Sequence, residues 1–342
     1  MIQAGLGIWG RSWTSVLADD PDVALAAAVD PDPATHKATR GTPTYATIEE
    51  AMAGVESDAV LVASPPATHH AVAKAALGAG RHVLVEKPLA TTLEDAMDLV
   101  RISAEADRVL MVSQNYRFNA PFRAMQRAMG EIGNLVSVRI ECHRDVSDLF
   151  PPEDFRYSMR HPYLLDMSVH HFDLLRAASG RDVLRVHARG RHAPDSPFAH
   201  HPAVTALLDL EGNVPVLYDG DWATWKPETS WNGEWEVVGE RGRLLWRGEP
   251  EARDVGDVLL ERWGESPHPV EQPELRLTER AATLRALRDA IETSDAPETA
   301  AADNVKSLAV TLGCVLSVVS GETVDLPASL HAARRTSVTT RP

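Results

Sequence analysis

Two short constellations in this chain carry residue types suited to moving protons and stabilising charge. The first is Glu86-Lys87-Pro88, directly after the apolar run Val83-Leu84-Val85. Aliphatic residues of this kind predict a buried parallel strand, and Pro88, with no N–H to donate, cannot continue it. An ionisable pair is thereby left at the carboxyl end of a strand, where open α/β sheets bind ligands. A lysine held there can be desolvated, shift its proton affinity and act in proton transfer or as a local positive charge. The second is Asp166 and His170, four residues apart in a segment, Tyr163 to Leu175, whose apolar residues recur with helical period. That spacing sets carboxylate and imidazole on one helix face, where the acid can fix the tautomer and raise the basicity of a general base. Taken alone, Lys87 reads more readily as a solvated loop residue, and acid–histidine pairs are common on solvated helices, where they contribute little.

A third pattern precedes both. Gly5-Leu6-Gly7-Ile8-Trp9-Gly10 follows the short apolar stretch Met1 to Ala4 and opens an amphipathic segment with Trp13, Val16 and Leu17 facing inward. In a G-x-G-x-x-G turn the first glycine makes the bend, the second admits a pyrophosphate, and the third lets helix pack on strand. The phosphate then meets the positive end of a helix. A second apolar stretch, Val23 to Val29, ends in Asp30, about 20 residues beyond the glycines, where the fingerprint places a carboxylate for the ribose hydroxyls.

The elements that must position these residues alternate through the first 120 positions. Asp58 to Ala63 reads as a strand ended by Ser64-Pro65-Pro66, and Ala67 to Leu77 as a helix with His69 and His70 in its first turn. Thr91 to Ala106 reads as an amphipathic helix, and Val109 to Val112 as a strand followed by Gln114-Asn115-Tyr116-Arg117. Beyond residue 120, Leu135 to Cys142, Val183 to Arg189, Val204 to Leu210, Val214 to Trp222, Glu234 to Val238 and Leu244 to Arg247 read as strands without regular intervening helices, which predicts a largely antiparallel sheet. Two helices, Leu277 to Thr293 and Ala300 to Ser320, close the chain. The fold class expected is α/β: an N-terminal Rossmann dinucleotide-binding domain over 1–120, then a C-terminal α+β domain over 121–330 with a large, mostly antiparallel open sheet, and a frayed tail over 331–342.

Composition narrows the function. At 342 residues the chain is long for one hydrophobic core. Apolar residues at 44% and charged residues at 24% exclude a disordered or fibrous chain. A formal net charge of -15 argues against nucleic acid or an anionic membrane as partner, since both require a basic patch. The two cysteines, Cys142 and Cys314, stand in no metal-ligand or redox spacing, and a cytoplasmic location is expected. No metal is expected at His170-His171 with Asp173 either, because adjacent helix residues point different ways. The apolar run Leu308 to Val319 is short for a membrane span and is interrupted by Thr311 and Gly313. Met1 to Ala18 lacks a basic n-region and contains Arg11, so no export signal is expected.

Gly5 to Gly10, Asp30, Ser64-Pro65-Pro66 with His69, Glu86-Lys87-Pro88 and Asp166-x-x-x-His170, in that order, resemble the Gfo/Idh/MocA family over nearly the whole chain. The resemblance implies a nicotinamide cofactor and a sugar, polyol or related cyclic carbohydrate oxidised or reduced at a carbon bearing a hydroxyl. It also implies a second domain whose open sheet mediates oligomers. Carried over residue by residue, Lys87, Asp166 and His170 correspond to the catalytic trio. Gly5, Gly7, Gly10, Asp30, Ser64, His69 and Glu86 correspond to cofactor contacts. Ile8, Trp9, Pro65, Lys87 and Asn115 are expected to complete the cofactor site, and Tyr116 and Arg117 to join the trio at the substrate. The chain departs from the family pattern at Arg160-His161-Pro162-Tyr163 and Ser168, where glycines are common, and at Pro66, where asparagine is frequent.

Four expectations follow. Asp30 repels a 2'-phosphate and no arginine stands beside it in Pro31-Asp32-Pro33, so the cofactor is NAD rather than NADP. The Lys87-Pro88 peptide is cis. A homodimer or homotetramer forms through the open face of the second sheet; Trp222, Trp225, Trp231 and Trp235 read as core or interface residues more often than as faces on which a sugar stacks. Besides a simple dehydrogenase, an NAD-retaining glycosidase or lyase working through transient oxidation, or a cofactor-binding regulatory protein, remains open on the same fold.

Overall fold

In the computed structural model, which describes residues 1–39, 41–147, 149–193, 195–250 and 255–327, the first sheet is parallel throughout. Its strands are β1 (Ile2–Ala4), β2 (Ala27–Val29), β3 (Thr44–Tyr45), β4 (Ala59–Val62), β5 (His82–Glu86) and β6 (Leu110–Ser113), in the order β3-β2-β1-β4-β5-β6. Chain direction across the sheet reverses between β1 and β4, so the turns leaving these two strands open side by side at the carboxyl edge. Helices α1 (Ile8–Asp19), α2 (Ile48–Gly54), α3 (Pro66–Gly78) and α4 (Leu93–Ala106) provide the crossovers. Thr47 and Glu50 form a capping box on α2, and Thr92 accepts the Asp95 N–H at the start of α4. Val83, Leu84 and Val85 are fully buried, which is the environment their near-continuous apolar run requires.

The second sheet has nine strands. A helix, α5 (Ala120–Ala128), precedes β7 (Leu135–His143); a π-helical turn over Tyr163–Ser168 then leads into α6 (Val169–Ser179). The remaining strands are β8 (Val183–Arg191), β9 (Ala203–Leu210), β10 (Val214–Asp221), β11 (Glu234–Gly239), β12 (Gly242–Gly248), β13 (Gly256–Arg262) and β14 (His268–Pro269). After α7 (Glu279–Thr293) and α8 (Ala301–Ser320), the short β15 (Val324–Asp325) completes the order β14-β13-β12-β11-β7-β10-β9-β8-β15. Only β7 and β10 pair parallel; every other neighbouring pair among the described residues is antiparallel. The core side alternates along each strand, with Val138, Ile140 and Cys142 on β7 and Val216 and Tyr218 on β10 buried.

The chain divides into two compact units, Met1–Asn115 with Leu277–Val305, and Tyr116–Arg276 with Lys306 onward. The return of residues 277–305 to the first unit differs from a single boundary at residue 120, because helical periodicity does not say which core a helix joins. Here the edge strand β6 decides it: Val112 N–H donates to the Thr299 carbonyl at 3.0 Å, and the Thr299 hydroxyl donates to the Val112 carbonyl at 2.7 Å. Arg285 and Arg288 on α7 both pair with Asp22.

Other differences have local causes. The strand expected from Val23 is confined to Ala27–Val29, matching the three residues of its neighbour β1. The elements β3, α2, α5, β13, β14 and β15 were not anticipated; three of the strands are two residues long, too short for periodicity to register. The tail over 331–342 lies outside the described residues. The run expected to be too short for a membrane span sits in a 20-residue helix, α8, long and apolar enough to cross one by length and composition. Its side chains are packed instead: Leu308, Val310 and Cys314 are buried, and Ser317 accepts the Ala188 N–H at 2.9 Å. The four tryptophans divide among the expected alternatives. Trp222 and Trp235 are buried in the core, while Trp225 is 84% exposed.

Asp182 is fully buried between two cations, with Arg176 Nη2 at 2.9 Å and Lys306 Nζ at 2.8 Å. Asp182→Asn removes a counter-charge shared by two buried cations and is expected to cost about 3–5 kcal/mol. Urea unfolding checks this; a lowered midpoint at unchanged slope is the expected result, and a loss below about 1 kcal/mol contradicts it.

Candidate active site

The turn after β1 is built by backbone crowding. Gly5 sits at φ +99°, and a Cβ there would lie 2.5 Å from the Ser64 nitrogen and 2.6 Å from the Ala63 carbonyl oxygen. Gly10 faces the Gly5 carbonyl so closely that no side chain fits between them. The Gln3 amide, buried in β1, donates to both the Gly5 and Gly10 carbonyls, at 3.0 and 2.7 Å. Gly7 is different: its Cβ position has no protein atom within 4 Å. The helix that Gly7 caps, α1, has no side-chain cap hydrogen bond. The protein itself therefore does not demand glycine at Gly7, and the space and the uncapped N–H groups of Ile8 and Trp9 suit a phosphate. Asp30, at the end of β2, accepts the Leu6 N–H at 2.8 Å, which sets its carboxylate beside the same turn. These features fit a dinucleotide, with Gly5 to Gly10 cradling the pyrophosphate and Asp30 at the ribose.

The turns after β4 and β5 are tied by His69. Its ring is buried, with Nδ1 2.7 Å from the Pro88 carbonyl and Nε2 2.9 Å from the Ser64 carbonyl. Desolvation lowers its proton affinity against the pull of those two carbonyls, so a neutral imidazole donates to only one of them. His69 thus braces the two strand-end turns from beneath. Ser64 Oγ lies 2.7 Å from Thr68 Oγ1, beside Pro65. The Lys87-Pro88 peptide is cis, as expected. Lys87 is half-buried at the end of β5.

Glu86, Asn115, Trp9 and Trp13 meet residues of α7 that sequence reasoning missed. Glu86 Oε1 accepts Trp13 Nε1 at 2.7 Å and Arg280 Nε at 3.2 Å. The Arg280 guanidinium also lies over the Trp9 ring, 5.0 Å from its centroid. Asn115 donates its side-chain amide to Glu279. No motif flags Arg280 or Glu279; Gln3 had a signal, an amide in the middle of a strand with both neighbours apolar.

In the second unit the π turn over Tyr163–Ser168 carries Asp166, and His170 follows in regular helix. Four residues of α-helix overshoot a turn by about 40°. A π turn winds less per residue, which removes part of that overshoot and brings the two positions closer to one line. The turn is seated on the sheet by Tyr163, whose ring occupies the space a side chain at Gly220 would fill. Asp166 Oδ2 accepts Arg156 Nε at 2.7 Å, another contact not foreseen. His170, 6% exposed, stacks on Tyr116 with ring centroids 4.3 Å apart and planes 14° from parallel.

The adjacent residues do other work. His171 is fully buried, with Nδ1 2.8 Å from the Tyr218 hydroxyl and Nε2 2.9 Å from the Trp231 carbonyl, and burial pushes its pKa down to about 4. Arg117, expected at the substrate, is instead buried in a two-pronged ion pair with Asp173 at 2.6 and 2.7 Å. Ser307 Oγ donates to the same carboxylate at 3.1 Å. A planar fork matched to a buried carboxylate holds α6 rather than a ligand.

Comparison with known proteins agrees with this geometry. A family model described as "Oxidoreductase family, NAD-binding Rossmann fold" matches residues 3–114, and one described as "GFO/IDH/MocA C-terminal domain" matches residues 122–245. A 1,5-anhydro-D-fructose reductase of Ensifer adhaerens is 31% identical over 291 residues, covering 83% of this chain and 84% of that protein. A myo-inositol 2-dehydrogenase of Thermotoga maritima is 30% identical over 214 residues, 61% of each chain. Among solved structures, an oxidoreductase from Agrobacterium radiobacter in complex with NAD+, L-tartaric acid and magnesium superposes with a TM-score of 0.84 at 22% identity, covering 97% of this chain and 98% of that one. The aldose-aldose oxidoreductase of Caulobacter crescentus complexed with glycerol gives 0.81 at 22% identity, covering 95% and 99%. The chain belongs to the Gfo/Idh/MocA family and is an NAD-binding oxidoreductase.

Proposed function

We propose that the protein is an NAD-dependent dehydrogenase or reductase acting on a CH–OH group of a sugar, polyol or related cyclic carbohydrate. The observation that carries the reading is the Asp166–His170 segment, a carboxylate fixed by a guanidinium and an imidazole fixed by stacking, one turn apart. NAD+, when bound, supplies the acceptor for the hydride. His170 takes the hydroxyl proton, and Asp166 holds the imidazole and stabilises its protonated form. Lys87 is assigned the stabilisation of the developing alkoxide, an effect worth about 3 kcal/mol in a dry site. The inositol and anhydro-fructose in the names of two relatives are cyclic polyhydroxy compounds, which supports the substrate class.

Exposed Leu207 and Leu217 pair across β9 and β10 on the open face, and we extend the proposal to a homodimer or homotetramer formed through that face. Light scattering at micromolar concentration checks it, and a monomer mass contradicts it.

The function itself is tested by incubating the protein with NAD+ and a panel of free sugars and polyols, myo-inositol included. Accumulating NADH absorbance is expected; product release at constant absorbance points instead to transient oxidation. With an accepted substrate, Lys87→Ala and His170→Ala should each lower turnover by about 100-fold or more while NAD affinity changes far less. Asp166→Asn should be milder than His170→Ala and shift the pH dependence. Near-normal turnover of His170→Ala at every pH removes the imidazole from its assigned role.

Asp30 generates a separate test of cofactor choice. The wild type should use NAD about tenfold or more better than NADP in kcat/KM, and Asp30→Ser should narrow that ratio, because a serine no longer repels a 2'-phosphate. Equal use of both cofactors by the wild type contradicts the role given to Asp30.

A further inference from the structure

The mechanism above uses Arg156 only as a contact of Asp166 and gives it no effect on proton transfer, yet it is among the most heavily engaged side chains of the second unit. It lies in the short turn Phe155–Tyr157, whose first N–H groups are capped by Asp154, with Asp154 Oδ1 accepting the Arg156 N–H at 2.9 Å. The guanidinium is 4% exposed. It donates through Nε to Asp166 Oδ2 at 2.7 Å and through Nη1 to Asp154 Oδ1 and Oδ2 at 3.2 and 3.3 Å. Its flat faces lie against two aromatic rings, Phe150 at 4.4 Å and Phe155 at 4.6 Å. Two carboxylates and two rings hold one cation in a single orientation, and that orientation aims its Nε edge at Asp166.

We propose that Arg156 is a positioning residue for the proton-transfer pair: it fixes the rotamer of Asp166 and shares its negative charge, so that His170 stays a neutral base at working pH. The inference rests on the reading of Asp166 and His170 given above. The physical argument is a competition. A partly buried carboxylate one turn from a buried imidazole favours the imidazolium, and a base that is already protonated cannot accept a substrate proton. A permanently charged guanidinium on the other side of the same carboxylate offsets that pull. The other ionisable groups described near the pair in this unit act differently. Asp154 is negative and opposes it. Arg117 and Asp173 satisfy each other, His171 is kept neutral by burial, and Tyr116 meets His170 through its ring face.

Histidine imidazole NMR titration reads the effect without substrate, with His170 assigned by loss of its signal in His170→Gln. Arg156→Gln should raise the midpoint of His170 by about one unit, while Arg156→Lys, which keeps the charge, should stay within about 0.3 units of wild type. A purely structural arginine would not produce this split. An unchanged or lowered midpoint in folded Arg156→Gln overturns the proposal. If that variant does not fold, the wild-type Asp166 carboxyl carries the test by carbon-detected titration. It should titrate about one unit or more below an ordinary aspartate, and a midpoint at or above about 4 overturns the proposal. The two layers separate cleanly. His170→Gln with normal turnover on an accepted polyol removes the functional reading, whereas an inactive His170→Gln beside an unmoved Arg156→Gln titration removes only the role of Arg156.

Discussion

A buried carboxylate cannot keep its charge without partners, and Glu86 at the end of β5 has gathered them from three elements. Trp13 donates from α1 and Arg280 from α7, and the N–H of Lys87 lies 3.2 Å from the second carboxylate oxygen. Leaving such a charge unpaired costs several kcal/mol, so the three elements are held to one arrangement. One of them, α1, begins at the glycine turn. Another supplies the guanidinium that lies on Trp9 within that turn. The residue next to Glu86 is Lys87, whose backbone is thereby fixed by the same contacts that fix the glycine turn. In the first unit, the glycine turn and Lys87 share one electrostatic anchor.

The second unit solves the same problem with a different charge arrangement. Asp166 and His170, proposed above for proton transfer, sit on a helix that would be free to rotate and slide were it held by apolar contacts alone. Arg117 and Asp173 lock one face of α6 through a two-pronged ion pair, and His171 locks another through Tyr218 and the Trp231 carbonyl. Tyr163 seats the π turn in the gap left by Gly220. What these contacts leave to Asp166 and His170 is a narrow choice of geometry. A widened turn at this point is a local cost that a purely structural helix has no reason to bear, and π turns recur at functional sites for that reason.

The first sheet was legible because each of its signals is local. Gly5, Gly7 and Gly10 stand where backbone crowding or ligand space requires them, Asp30 ends its strand, and Pro88 ends another. The spacing of Asp166 and His170 was legible for the same reason. What escaped were contacts between residues distant in sequence. Arg280 reaches Glu86 across 194 positions and Thr299 hydroxyl meets Val112 across 187, and no periodicity encodes such pairings. Arg156 is only ten residues from Asp166, but an arginine beside a phenylalanine gives no sign that it will be buried. Arg117 shows the opposite error. Its position after a strand end favours a ligand contact, and only the buried Asp173 on α6 shows where its fork goes.

The account turns on whether a hydride leaves a hydroxyl-bearing carbon of the substrate for good. The direct measurement is isotope tracing with a polyol deuterated at its carbinol carbons, using myo-inositol as first probe and the other accepted members of the panel after it. Mass spectrometry of the recovered nucleotide reads the outcome. One deuterium per molecule of NADH formed, matched by one equivalent of ketone product, is the result the account predicts. Turnover of substrate with unlabelled nucleotide and no net NADH contradicts it.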